Sequence, residues 1–127
     1  KENIEKLKEF EPMWKLSQFD SIYLQNALED RVFKGVSQKV NEKNRIELES
    51  ILKGSSFVEE ISTSSANYIL VKLKDIKAKE FQERLKPYKI MVRDCSNFDY
   101  LDDRFVRIAV KSSNANDSLK RALKHIC

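Results

Sequence analysis

Two arginines interrupt apolar runs in the last third of the chain. Arg93 closes the run Ile90, Met91, Val92, and Arg107 sits inside the run Phe105 to Val110. A guanidinium is a planar fork of donors that grips a carboxylate or phosphate through two parallel hydrogen bonds, so such residues point to an anionic ligand. Plainer readings stand beside that one. Arg107 can be a solvated side chain whose stem covers the open side of a sheet, and Arg93 can pair with Asp94, Asp102 or Asp103. Cys95 would suit a thiol nucleophile, which needs a base within hydrogen-bond reach. The one histidine, His125, falls instead in the last turn of a helix, where its charge complements the helix dipole. No Cys–His pair is expected.

Composition narrows the field further. The chain has 127 residues, 41% apolar and 35% charged, the profile of a globular domain with a core of its own. No stretch approaches the roughly 18 apolar residues of a membrane span, and no secretory leader is visible. The formal charge is +4, but 24 basic and 20 acidic residues are interspersed, whereas nucleic-acid binding needs basic residues clustered on one face. Two cysteines, Cys95 and Cys127, make neither a disulfide framework nor a zinc site, so a reducing compartment, the cytoplasm, is expected. With glycine only at positions 35 and 54, a glycine-rich phosphate loop is excluded.

The elements that must carry the arginines follow from periodicity. Ile4, Leu7 and Phe10 keep helical spacing until Pro12 breaks it, and Trp14 reads as a core or interface anchor. Lys1 opens directly into this pattern, which reads as a helix entered midway and as a piece of a longer polypeptide. Ser17 is expected to cap a helix, with Asp20 completing a capping box and Phe19, Ile22, Tyr23, Leu24, Ala27 and Leu28 as its apolar positions. A third helix is expected from about Asp30 to Lys53, with Phe33, Val36, Val40, Leu48, Ile51 and Leu52 inward and Gly54 as its C′ residue. Strands are expected at 57–61, 66–73, 89–94 and 104–111, with a helix over 77–88 ended by Pro87 and a last helix capped by Asn114 or Asn116. Two-residue alternation places Phe105, Arg107 and Ala109 on one face of the last strand and Val106, Ile108 and Val110 on the core face. The fold class is α+β, a small, mostly antiparallel sheet covered on one face by helices and preceded by long helices. Residues 1–53 form the helical segment and 54–127 the α+β portion, within one structural unit.

The words of the sequence go further than their periods. PMWKLS (12–17), SSANYILVKL (64–73), IMVRDCSNFDYLDDRFVRIAVKS (90–112) and NANDSLKRALKHI (114–126) occur in the order and spacing of the C-terminal small domain of fold-type-I pyridoxal-phosphate enzymes, and the chain resembles that domain from residue 12 onward. The nearest groups are histidinol-phosphate aminotransferases and threonine-phosphate decarboxylases. The resemblance implies the small domain of that transferase fold, with pyridoxal 5′-phosphate as cofactor, held by residues outside this chain. It implies that Arg107 binds an acidic group of the substrate, usually the α-carboxylate, that Arg93 helps to hold the substrate's anionic end, and that Asn67, Cys95 and Asn97 line the pocket. The implied partners are a small phosphorylated amino acid or amine, the large domain of the same polypeptide and a second copy in a homodimer, with neither nucleic acid nor membrane.

Departures from the pattern matter too. Ser17 stands where the family often has asparagine, and no lysine here lies in the Ser-x-Ser-Lys or Ser-x-Thr-Lys context of the cofactor's Schiff base. The chain alone is therefore expected to be inactive. RIAVKS, with Ala109 and Lys111, and RDCSNF followed by LDDRF resemble the decarboxylase group more than the aminotransferases, so threonine-phosphate decarboxylation is expected ahead of histidinol-phosphate aminotransfer. A non-catalytic regulatory or RNA-binding domain, stacking bases on Tyr68 and Phe105, is the alternative from another class.

Overall fold

The computed structural model describes residues 2–8, 10 and 16–126; Trp14 and Cys127 lie outside the described residues. The chain divides into two compact units, Lys1–Val36 and Ser37–Cys127.

The first unit holds α1 (Glu2–Lys8), α2 (Gln18–Glu29) and the start of α3 (Arg31–Lys53). Ser17 caps α2 as its sequence predicts: its side chain accepts the Asp20 amide, and the Asp20 carboxylate accepts the Ser17 amide. The Ser17 hydroxyl, donating to the Asp20 carboxylate at 2.8 Å, and then the Ser17 amide hold the Asp20 carboxyl below its usual range. Asp30 ends α2 and starts α3, its carboxylate accepting the Val32 and Phe33 amides at 3.0 and 2.9 Å. The apolar spacing here does not produce a core. Phe19, Ile22, Tyr23, Leu24 and Leu28 are all exposed, as are Phe33 and Val36, which had been expected to face inward.

The second unit builds its core from the remainder of α3 onward. Leu48 and Leu52 of α3 are buried, whereas Val40 is exposed. The period change at 53/54 therefore separates helix from strands, while the division between compact units falls inside α3. Gly54 follows the helix without a left-handed conformation. The turn stays right-handed, with Ser55 N–H reaching Leu52 O at 3.0 Å, so the expected glycine cap is not used.

Four strands follow, β1 (Val58–Ile61), β2 (Tyr68–Leu73), β3 (Arg93–Asp94) and β4 (Phe105–Ala109), in the spatial order β1-β2-β4-β3 with every neighbouring pair antiparallel. One face carries Ile69, Val71 and Leu73 of β2 with Val106 and Ile108 of β4, all buried against Leu48 and Leu52 of α3, Ala78, Phe81 and Leu85 of α4 (Ala78–Leu85), and Leu119, Ala122 and Leu123 of α5 (Ser113–His125). Each large apolar side chain buried in this way contributes roughly 1.5–3 kcal/mol. A one-residue slip would turn the whole set to solvent, so the register is strongly specified. Within this unit α3, α4 and α5 all pack on that face and leave the other face uncovered. The architecture is the expected α+β sheet with helices on one side.

Two local expectations change. The strand foreseen at 89–94 shortens to Arg93–Asp94, because Lys89 turns left-handed (φ 57°) after the 3-10 turn Lys86–Tyr88 and Gln82 of α4 takes the Val92 carbonyl at 2.7 Å. The last helix starts at Ser113 with Ser112 at its N-cap, not with Asn114 or Asn116. Asn116 is buried and spends its amide on Asn44 O and Glu47 Oε2, both at 3.0 Å, tying α5 to α3.

Candidate functional site

Arg93 and Arg107 are direct cross-strand partners in the β3–β4 pair. Residues so placed share a face, with Cβ atoms about 4.5–5.5 Å apart, and like charges in that position repel. Since Val106 and Ile108 point into the core, Arg107 and Arg93 stand on the uncovered face. The same face carries Tyr68, Leu70 and Lys72 of β2, which pair with Ala109, Arg107 and Phe105 respectively.

Among the described residues neither guanidinium forms an ion pair, although the charge of Arg93 still acts on Asp94. Arg45, Arg84 and Arg104 each hold a carboxylate partner, at 2.8, 2.7 and 2.8 Å. No carboxylate among the described residues pairs with Arg93 or Arg107. The three aspartates that could have neutralised Arg93 are engaged elsewhere. Asp94 accepts the Ser96 amide at 2.8 Å, Asp102 accepts the Arg104 amide and side chain, and Asp103 pairs with Lys77 at 2.7 Å. The Ser96 amide, more than the neighbouring cations, holds the Asp94 carboxyl below its usual range; the Arg104 amide does the same for Asp102.

What does touch the arginines is neutral. Arg107 Cζ lies 4.5 Å from the centroid of the Tyr68 ring, and Arg93 Cζ lies 6.0 Å from that of Phe98. Arg93 Nη2 also donates to Asn97 Oδ1 at 3.4 Å. The 95–101 turn that delivers Phe98 and Asn97 is fastened by Cys95 N–H to Phe105 O and Phe98 N–H to Cys95 O, both 3.0 Å.

Cys95 is buried, yet it lies outside the main core cluster. It shares strand parity with Arg93, so it sits on the arginine side of the sheet beneath the turn. Its thiol meets the Arg93 carbonyl at 3.6 Å. Burial pushes the thiol up from its usual range, outweighing the pull of Arg107 and Arg93, so it stays protonated and weakly nucleophilic. His125 stacks on Tyr88, with ring centroids 6.2 Å apart. Asn67 is exposed at the end of β2, where its carbonyl accepts the Val110 amide at 2.8 Å. Among the sequence-predicted residues, Arg93, Arg107, Cys95 and Asn97 are thus brought to one face, and Asn67 stands at the end of the central strand. The supporting rings of Tyr68 and Phe98 were not foreseen. The visible signal was Tyr68 at the head of an alternating strand, but its diagonal relation to Arg107 depends on register.

Among the described residues no group of metal-ligating side chains forms a cation site. No helix there is long and apolar enough to cross a membrane.

No protein-family profile matches the chain. Individual proteins do. The chain is 32% identical over 126 residues to a histidinol-phosphate aminotransferase of Methanocaldococcus jannaschii, across 99% of this chain and 34% of that protein. It is 33% identical over 123 residues to a protein of Caldanaerobacter subterraneus provisionally named threonine-phosphate decarboxylase, across 95% of this chain and 33% of the other. The histidinol-phosphate aminotransferase of Clostridium acetobutylicum matches the fold with a TM-score of 0.82 at 30% identity, over 96% of this chain and 36% of that structure. The chain spans about a third of the length of the curated relatives it matches.

Proposed function

The chain belongs to the fold-type-I pyridoxal-phosphate enzymes, in the group of histidinol-phosphate aminotransferases and threonine-phosphate decarboxylases, and from that premise we propose that it supplies the substrate-anion clamp of an enzyme acting on a phosphorylated amino acid or amine. The observation that carries the reading is the pair of guanidinium groups, opposite each other on one sheet face with no carboxylate among the described residues paired to them. Two like charges held so close call for an anion between or above them. In the family the cofactor supplies the electron sink, and the protein's share is to bind and orient the bond to be broken.

This chain's own residues do not fit the cofactor. No described lysine is buried, and the arginine face is open rather than a closed cradle. The grip on pyridoxal phosphate is assigned to the rest of the polypeptide, represented by the two thirds of the relatives that this chain does not span. Arg107 and Arg93 then act on the substrate alone. Arg107 takes one acidic group by a bidentate contact, and Arg93, tethered through Asn97, takes the other.

Threonine phosphate is the favoured substrate, because it carries a carboxylate and a phosphate in one small molecule and so occupies both forks at once. Decarboxylation is accordingly the proposed reaction. Histidinol-phosphate aminotransfer is the second reading, supported by the match of nearly this whole chain to about a third of the M. jannaschii and C. acetobutylicum enzymes. The test uses the intact polypeptide loaded with pyridoxal phosphate. Repeated release of carbon dioxide from L-threonine O-3-phosphate is expected. Formation of glutamate from histidinol phosphate and 2-oxoglutarate would transfer the assignment to the second reading, and neither product would end both. The intact protein is also expected to sediment as a homodimer.

A further inference from the structure

The Arg107 fork needs something to aim it, because no described residue forms a hydrogen bond or ion pair with it. The Tyr68 ring lies against it, 4.5 Å from Arg107 Cζ. The register explains the contact. Arg107 faces Leu70 and Tyr68 faces Ala109, so ring and guanidinium are diagonal neighbours on one face, within reach of an aromatic side chain. Opposite Tyr68 stands only the methyl group of Ala109, which leaves the ring room to lean over the strand toward Arg107. A guanidinium over a ring face uses its flat side and keeps its in-plane N–H donors for an anion. A carboxylate partner would have consumed those donors. The Tyr68 hydroxyl has no hydrogen-bond partner among the described residues, so the ring is the part of the side chain that makes contact.

We propose that Tyr68 is a positioning residue that presets Arg107 for the substrate's acidic group by backing its guanidinium with an aromatic face, and that Ala109 is the small residue that allows it. The inference rests on the proposed role of Arg107 as the anion clamp. In this role Tyr68 acts through the arginine.

The experiment is a double-mutant cycle in the intact, cofactor-loaded enzyme, with L-threonine O-3-phosphate as the probe for both calorimetric binding and turnover. Tyr68→Phe keeps Kd and KM within about twofold of the parent. Tyr68→Leu raises both about fivefold, with kcat and Tm little changed, in the range that a cation–π contact supplies. In an Arg107→Ala background the same Tyr68→Leu change has no further effect, because the group it positions is gone. An unaltered Kd in Tyr68→Leu, or a fivefold loss that persists without Arg107, overturns the positioning role while leaving the clamp intact. Unchanged binding in Arg107→Ala, or no binding by the parent, removes the clamp and this inference together. An Ala109→Val variant with parental Tm and weakened binding supports the account of the small residue, and one with parental Tm and parental binding overturns it.

Discussion

Arg104 and Arg107 lie three residues apart on the same stretch of chain and meet opposite fates. Arg104, just before β4, is closed into a network: Nη1 meets Glu59 at 2.8 Å, Nη2 meets Asp102 at 3.4 Å, and Lys72 shares Glu59 at 2.8 Å. Arg107, in the middle of β4, faces another arginine and an aromatic ring. The first cluster balances charge within the fold and pins β1 to the start of β4. The second leaves two positive charges without an ion-pair partner among the described residues, an arrangement that costs stability and that the proposed substrate anion would relieve. The same residue type serves structure where a carboxylate is delivered to it, and in the proposed reading serves recognition where none is.

The sharpest way to break the comparison is Arg107→Ala in the intact enzyme. We expect kcat/KM to fall by about a hundredfold or more, the size of a lost bidentate charge-assisted contact. Thermal stability should hold or rise slightly, because the change removes a like-charge neighbour of Arg93. A variant that loses stability without losing activity would place Arg107 with Arg104 as a structural residue.

A smaller effect is expected from Arg93→Lys, which keeps the charge and loses the planar fork. Turnover of phosphorylated substrates should drop about tenfold, with at most about a twofold loss on unphosphorylated analogues. Equal losses on the two classes would show that Arg93 merely supports the turn.

Acid separates the two clusters by stability. The Lys72 hydrogen bond, ahead of the attraction of Arg104, lowers the Glu59 carboxyl, and the Arg104 amide lowers Asp102. A carboxyl whose folded value lies below its unfolded one stabilises above the unfolded value and loses that stabilisation as pH falls through the folded one. Denaturation curves should therefore weaken progressively below the ordinary carboxylate range. Glu59→Gln should flatten part of that slope, and Arg107→Ala should leave it unchanged.

The least effect belongs to Arg104→Ala. Partly exposed ion pairs contribute little, so Tm should drop by only about 2–4 °C. Activity should stay within about twofold of the parent. A large activity loss with unaltered Tm would mean that the Glu59 network reaches the substrate.

Much of this was legible in the residues. The alternation of Val106 and Ile108 with Arg107 assigned the core face of β4 without any structure, because a strand's side chains have no third direction to take. The Ser17–Asp20 capping box was equally readable, since its hydrogen bonds close within one turn. Helical spacing misled in the first half of α3, where Phe33, Val36 and Val40 had been expected inward. Apolar periodicity states which face is available for burial, not that anything within the chain buries it, and Phe19, Ile22, Phe33 and Val36 remain exposed. The cap of α5 was misplaced for a related reason. Asn116 has the chemistry of a cap, but the Asn44 carbonyl and Glu47 carboxylate, about seventy residues earlier in the chain, claimed its amide first.

By itself, then, the sequence determined the order of elements, the polarity of each strand and the presence of two arginines too costly to bury unpaired. Only the tertiary structure decided that they face each other, that Asp94, Asp102 and Asp103 are spent elsewhere, and that the Tyr68 ring lies against Arg107. Periodicity is a local property, set by backbone geometry within a few residues. Strand register, and with it every contact across the sheet, follows from packing a whole face at once.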